Sequence, residues 1–270
     1  MNNSIISKKV LITGASSGIG AATAKEFAKA GAEVLLVARN ETKLKKVAEE
    51  IISSGGKAKY FPADVSDFKV VQKLAELVIA ETGIPDIIVN NAGQGIWKFM
   101  DETAFEEVSE MMAVPYFAAF YVTKAFLPEM LKRNSGHIVN MTSYAGFIAF
   151  SGATAYIAAR TAMIGFHNAL TADLYQTNIK TSLAYFAKVT SDYWQNNPGS
   201  EERLPTSQAL IPVITPEKAA RAIVKGVQKN KRKIATPYMI FVMNGLIRYF
   251  PAVTRWIINK TGYRKKQVFL

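Results

Sequence analysis

The chain has 270 residues, 49% of them hydrophobic, enough to bury the core of one large domain or of a domain with an appendage. It has no cysteine and only two histidines, His137 and His167, which excludes disulfides and a thiolate metal site. The formal charge of +12 lies wholly in residues 217–270, where 13 Lys/Arg face the single acid Glu217; residues 1–216 balance 20 basic against 20 acidic side chains.

From the amino terminus, MNNSIISKKV lacks a basic-then-apolar leader, and no uncharged apolar run reaches the roughly 18 residues of a membrane span. A cytosolic protein without a structural metal is the expectation. KVLITGA (Lys9–Ala15) predicts a strand, and AATAKEFAKAG a helix closed by Gly31. EVLLVARN predicts a second strand, ETKLKKVAEEIISSGG a second helix, AKYFPADVS a third strand, and Asp67–Thr82 a third helix. Then follow a strand in DIIVNNAG, one long helix from about Ala104 to Leu131, a strand in GHIVNMTS, a helix from about Thr154 to Tyr175, and a strand in KTSLAYF. Strands that are continuously apolar and alternate with helices predict an α/β fold, a parallel sheet covered on both faces. SDYWQNNPGSEERLPTSQALIP, residues 191–212, reads as a long loop or lid. Residues 1–236 are expected to form the nucleotide-binding and catalytic domain, and residues 237–270 a basic amphipathic tail.

The loop between the first strand and the first helix is TGASSGIG: Thr13, Gly14, Ala15, Ser16, Ser17, Gly18, Ile19, Gly20. In that context Gly14 permits the tight turn, Gly18 lets backbone approach a pyrophosphate, and Gly20 allows helix and strand to pack closely. The helix amino terminus adds N–H groups and a partial positive charge for phosphates. Dinucleotide binding is the reading, against a purely structural turn. The second strand ends in Ala38-Arg39. Alanine supplies no carboxylate for a ribose 2′-hydroxyl, whereas Arg39, with Ser16 as a second donor, suits a 2′-phosphate. NADP(H) is therefore favoured over NAD(H).

These residues resemble the short-chain dehydrogenase/reductases from about residue 8 to 190, with a weaker match to about 230. The marks are the glycine loop, ADV at Ala63–Val65, NNAG at Asn90–Gly93, IVNMTS ending at Ser143, and Tyr156 thirteen residues later. The resemblance implies a Rossmann-like, doubly wound fold, a nicotinamide cofactor, and hydride transfer to or from a carbonyl or alcohol carbon. It implies that Asp64 and Val65 meet the adenine, that Asn91, Ala92 and Gly93 line the cofactor, and that Val189 and Ser191 meet the carboxamide. It further implies that Tyr156 protonates the carbonyl oxygen or takes the alcohol proton, and that Ser143 hydrogen-bonds that oxygen. Packing of copies through the two long helices would make a homo-oligomer.

Two members of the usual Asn-Ser-Tyr-Lys set differ. The lysine place holds Arg160, the asparagine place falls on Pro115, and the Pro-Gly usual after the following strand is Phe186-Ala187. Arginine offers up to five donors and a permanent charge, so Arg160 is expected to hold the cofactor ribose and favour a phenolate. It cannot release a proton at neutral pH. Pro115 is expected to kink its helix and free the Met111 carbonyl to hold a water. Lys188 is read either as a further cation near the cofactor or substrate or as a plain surface lysine.

Beyond residue 237, apolar blocks alternate with Arg248, Arg255, Lys260 and Arg264-Lys265-Lys266, and Pro251 is expected to separate two short helices. The blocks suit the plane of a membrane interface, with basic side chains on anionic headgroups; packing over the substrate pocket is the other reading. No base-reading motif accompanies the charge, so nucleic acid is not expected. The whole reads as an NADP(H)-dependent oxidoreductase for an apolar small molecule, the alternative being an NADP(H)-binding sensor or scaffold. A dehydratase or epimerase fits less well, for want of a large substrate domain.

Overall fold

A computed structural model describes residues 4–191 and 193–265. Its frame is a seven-stranded parallel sheet: β1 (Lys9–Thr13), β2 (Glu33–Ala38), β3 (Lys57–Pro62), β4 (Ile87–Asn90), β5 (Gly136–Ser143), β6 (Ile179–Phe186) and β7 (Lys233–Thr236), in the order β3-β2-β1-β4-β5-β6-β7. The order reverses between β1 and β4, which opens a crevice at the carboxyl ends of the strands where open α/β sheets take ligands.

Alternate residues of the strands fill two cores. Val10, Ile12, Val34 and Leu36 pack with α1 (Gly18–Lys29), α2 (Glu41–Ser53) and α8 (Pro216–Gln228) through Phe27, Leu44, Ile51 and Ile223. Leu11, Leu35, Val37, Ile88 and Ile138 face the other way, against α3 (Phe68–Thr82), α5 (Ala118–Arg133) and α6 (Thr154–Asp173) through Val78, Val122, Phe126 and Leu170. Both faces being dry over the middle of the sheet, β1, β2 and β4 read as nearly unbroken apolar runs, whereas the edge strands β3 (KAKYFP) and β7 (KIAT) are partly exposed. Helix starts are marked by side-chain caps: Asn40 accepts from Lys43 N, Asp67 from Lys69 N and Val70 N, and Thr215 from Lys218 N.

The single helix expected over about Ala104–Leu131 is two. After α4 (Phe105–Met112) comes a widened turn, Ala113–Phe117, and only then α5. Val114 lies at φ −134° and ψ 106°, extended backbone inside a helical path. The cause is Pro115, which brings no N–H and sterically bars α geometry in the residue before it. The kink expected at Pro115 is present. Residues 191–212 are also more structured than a loop, with a short helix α7 (Tyr193–Asn196) and two single 3₁₀ turns, Glu201–Arg203 and Thr206–Leu210. Helix α8 and strand β7 lie beyond the elements predicted from the sequence; seven of the 13 carboxyl-terminal basic residues belong to that region, between Lys218 and Lys233. Pro251 does divide two helices, α9 (Met239–Tyr249) and α10 (Pro251–Thr261).

Both histidines are buried in the frame. His137 Nε2 lies 2.8 Å from Ser182 Oγ, which itself donates to Lys231 O; His167 Nδ1 meets the Asn140 side chain, in a chain of contacts with Asn90 and Thr123. Burial, aided by Lys180 and Lys233 respectively, pushes each imidazole down to about 4. Unfolding restores an ordinary affinity near 6.5, so below that pH the unfolded chain binds more protons and folding stability falls with pH until about 4. Denaturant unfolding at pH 7 and pH 5 should therefore differ by about 2 kcal/mol per histidine. His137→Gln and His167→Gln should each remove their share of that difference.

Candidate active site

One cavity of about 1110 Å³ opens in the crevice and touches every residue named above for cofactor contact or proton transfer; at the place of the usual asparagine, Met111 and Val114 line it and Pro115 does not. At its inner end lies the glycine loop. Gly14 and Gly18 sit at φ +66° and +55°, in the left-handed region. A Cβ on Gly20 would stand 2.1 Å from Gly14 O, so helix α1 starts against the turn only because that atom is missing. The loop rests on the segment after β4: Thr13 Oγ1 accepts from Asn91 N and Ala92 N at 3.0 Å, and Asn91 Nδ2 donates to Thr13 O at 2.9 Å. Gly14, Ser16, Ser17, Gly18, Ile19 and Gly20 thus form a cradle floored by Asn91, Ala92 and Gly93. A side chain at Gly18 would meet Ser191 Cβ at 3.7 Å, which brings the start of the lid onto the same cradle. Val189 is tied beside it by a parallel bridge to Ile214.

The neighbouring end is polar and open. Asp64 accepts from Ser66 Oγ at 2.6 Å and Ser66 N at 3.0 Å, with Arg39 4.0 Å away. Burial alone would raise the Asp64 carboxyl, but those hydrogen bonds and the cation outweigh it and hold it below the usual range. Arg39 stands 70% exposed at the rim, and Val65 lines the wall next to Asp64. Lys43, in the first turn of α2, lines the same end. No local pattern marks Lys43 in the sequence, since Arg39 precedes the helix cap Asn40 and the two share no helix face; the turn from β2 into α2 brings both to the cavity.

Ser143 ends β5, and its Oγ accepts from Ala145 N at 3.1 Å, which leaves the hydroxyl proton free to donate. Tyr156 and Arg160 come from α6, one turn apart; both are buried, and Arg160 Cζ lies 4.9 Å from the centre of the Tyr156 ring. Arg160 Nη2 donates to Gln94 O at 3.2 Å, and its Nε is buried without a partner. The backbone after β4 passes so close that a Cβ on Gly95 would lie 2.4 Å from Tyr156 Cδ2, and one on Gly93 3.0 Å from Arg160 Nη2.

The profile of the short chain dehydrogenases matches residues 8–201. The chain belongs to that family. It is 34% identical over 232 residues to a fatty acyl-CoA reductase of Acinetobacter baylyi, covering 85% of this chain and 76% of that protein. It is 33% identical over 260 residues to 17-beta-hydroxysteroid dehydrogenase 13 of Rattus norvegicus, covering 95% and 84%. Among solved structures, a metagenomic short-chain oxidoreductase in complex with NADP aligns at TM-score 0.73 and 29% identity, over 86% of this chain and 98% of that one. A short chain dehydrogenase/reductase from Burkholderia phymatum in complex with NAD shares the fold at TM-score 0.82 and 23% identity, over 98% and 100%. The family confirms the Rossmann-like sheet and a nicotinamide dinucleotide as cofactor class.

In this short-chain dehydrogenase, aromatic side chains cover Tyr156. Trp97 packs 5.2 Å from the rings of both Tyr156 and Phe150, and 5.6 Å from Trp194. Tyr193, on the lid, donates its hydroxyl to Gly95 O at 3.0 Å and accepts from Trp97 Nε1 at 3.2 Å. Burial, then the adjacent Tyr156, push the Tyr193 hydroxyl up and keep it a donor. Lys188 is engaged rather than free: it pairs with Glu201 and lies 5.6 Å from the Trp194 ring. Farther out the wall is apolar, built from Ile148, Leu204, Met243, Ile247 and Ile258. Two of its elements, the lid and the α9–α10 pair, are far apart in sequence; no local signal shows that they converge on one pocket. Among the described residues there is no cluster of three or more His, Cys, Asp or Glu that could hold a metal, and no helix is long and apolar enough to cross a membrane.

Proposed function

We propose that this enzyme moves hydride between NADP(H) and the carbonyl or secondary alcohol carbon of an apolar substrate, with Tyr156 as acid and base. The observation that carries the reading is the placement of Ser143 and Tyr156 in one cavity between the glycine cradle and an aromatic and aliphatic wall. The names of two relatives, a fatty acyl-CoA reductase and a hydroxysteroid dehydrogenase, fit a substrate of that polarity.

The residues present suit a bound nicotinamide dinucleotide. The turn closes only because a Cβ on Gly14 or Gly20 would strike the backbone of Ala92 or Gly14, and Gly18 lies at φ +55°; the loop so formed presents backbone to the cavity where a pyrophosphate would lie, and the unpartnered Arg160 Nε marks a buried cation with donors still to be used. The cofactor supplies or accepts the hydride. Arg160 would hold the ribose hydroxyls, and it keeps a fixed positive charge 4.9 Å from the Tyr156 ring centre. Tyr156 gives its phenolic proton to the carbonyl oxygen in reduction and takes it back in oxidation. Ser143, whose lone pair is occupied by Ala145 N–H, directs its own proton to that oxygen and stabilises the charge that develops there. Because Arg160 stays charged, the proton on Tyr156 is replaced through a ribose hydroxyl or water; the bend at Pro115, with Met111 and Val114 on the cavity wall, supports a water site there. Trp97, Phe150, Tyr193 and Trp194 exclude bulk solvent from the tyrosine.

Preference for NADP(H) rests on Ala38, which offers no carboxylate, and on Arg39 with Lys43 at the open end. The double variant Arg39→Asp, Lys43→Ala should lose at least about tenfold in kcat/KM with NADPH while changing little with NADH. Equal losses with both cofactors would reject the assignment. Self-association is supported by aromatic side chains on α4 and α5 that face solvent, Phe105 at 94% and Phe120 at 40% exposure.

NADPH absorbance across a panel of long-chain and cyclic carbonyls tests the function, with Tyr156→Phe as control. No turnover with tight NADPH binding would favour a sensor instead.

A further inference from the structure

Helices α9 and α10 have two unlike faces. The inner face is bound into the molecule: Ile240 is fully buried against Tyr144, Leu183 and Ile211, Asn244 Nδ2 donates to Tyr185 OH at 3.1 Å, and Thr261 Oγ1 donates to Ser207 Oγ at 2.9 Å. Met243, Ile247, Thr254 and Ile258 from this face line the cavity that holds Tyr156. The outer face is apolar and lies in water: Tyr249 is 74% exposed, Trp256 62% and Phe250 58%, with Phe241, Val242 and Val253 beside them. Such a continuous array is not a scatter of surface hydrophobes. Arg248, Arg255 and Lys260 are exposed on the same helices and form no ion pair among the described residues, and the sequence has no acid after Glu217.

We propose that the α9–α10 pair is a two-sided wall whose outer face beds into an anionic bilayer, so that the apolar substrate passes from lipid into the cavity at the edge of the pair. The charge decides the partner. A second copy docked face to face would bring Arg248, Arg255 and Lys260 of both copies into one interface with no acid from either segment, whereas anionic headgroups complement them. Each helix has 11 residues, about 16 Å, too short for a hydrocarbon core of about 30 Å but suited to lying in its interface. The entry point is the rim where Leu210, 77% exposed, belongs to the same cavity lining as Ile257 and Ile258 of α10. The substrate route rests on the apolar-substrate reading above; the lipid contact does not.

The test uses the full chain with phosphatidylcholine vesicles, with and without phosphatidylglycerol. Sedimentation with the anionic vesicles is expected, falling at least about tenfold in affinity for Arg248→Glu, Arg255→Glu and for Trp256→Asp. Brominated acyl chains should quench Trp256 fluorescence, a signal absent in Trp256→Phe. None of these side chains lines the cavity, so each variant should keep NADPH binding and turnover of a short, water-soluble carbonyl. Turnover of a long-chain aldehyde held in vesicles should fall about tenfold or more in Trp256→Asp. Anionic-vesicle binding that survives both sets of substitutions, or a wild-type chain that ignores vesicles and dimerises through Trp256, overturns the proposal. Vesicle binding as expected with no carbonyl turned over by the wild type upholds the lipid contact and rejects the hydride-transfer reading instead.

Discussion

Tyr156→Phe is expected to lower kcat/KM for carbonyl reduction by about 10³-fold, with NADPH affinity nearly unchanged. The phenyl ring keeps the packing against Trp97 and the contact with the Arg160 guanidinium, 4.9 Å from the ring centre. Only the hydroxyl is lost, and with it the proton donor; general acids contribute about 10²–10⁴-fold. Single-turnover kinetics after mixing with NADPH and carbonyl would place the whole loss in the chemical step. A variant that reduces carbonyls at the wild-type rate would remove Tyr156 from the mechanism. Loss of NADPH affinity by the same factor would make the residue a cofactor ligand rather than an acid.

Arg160→Met should cost about 10²–10³-fold in kcat/KM and weaken NADPH binding as well, because the proposed mechanism uses this one cation both to hold the ribose and to stand beside the reacting tyrosine. The arginine is buried, with one donor spent on Gln94 O and Nε still unpartnered, so its removal takes the positive charge out of the site beside Tyr156. Arg160→Lys separates charge from shape. A lysine keeps the charge and regains the ability to release a proton, but it loses the planar fork that Gly93 and Gln94 pack against. Activity within about tenfold of wild type is expected for Arg160→Lys, with NADPH fluorescence titration checking that the site is occupied. Wild-type kinetics in Arg160→Met would show that the guanidinium merely fills space.

Much of the site was legible because its parts are local. A strand, a turn with three glycines and a helix are contiguous, and their spacing states what a phosphate needs. Tyr156 and Arg160 share a helix face by the period of four, and Ser143 ends the adjacent strand. Pro115 announced a kink for the same reason, since a proline acts on its own turn and on the residue before it. The long helix was misjudged because apolar periodicity runs through the kink without a pause. Helix α8 went unassigned although Thr215 and Pro216 mark its start.

What the amino-acid sequence determines by itself is the chemistry available: a dinucleotide cradle, a hydroxyl pair with a fixed cation, and a basic carboxyl-terminal segment without acids. What only the tertiary structure decides is which distant side chains share a space with them. Lys43 joins Arg39 at the rim, Trp97 and Tyr193 hydrogen-bond over Tyr156 from segments almost a hundred residues apart, and α9 and α10 turn one face into the cavity and leave the other outside. The physical reason is that hydrogen-bonded turns and helix faces are set by neighbours in the chain, whereas a pocket wall is set by which apolar faces remain to be buried once the sheet has formed.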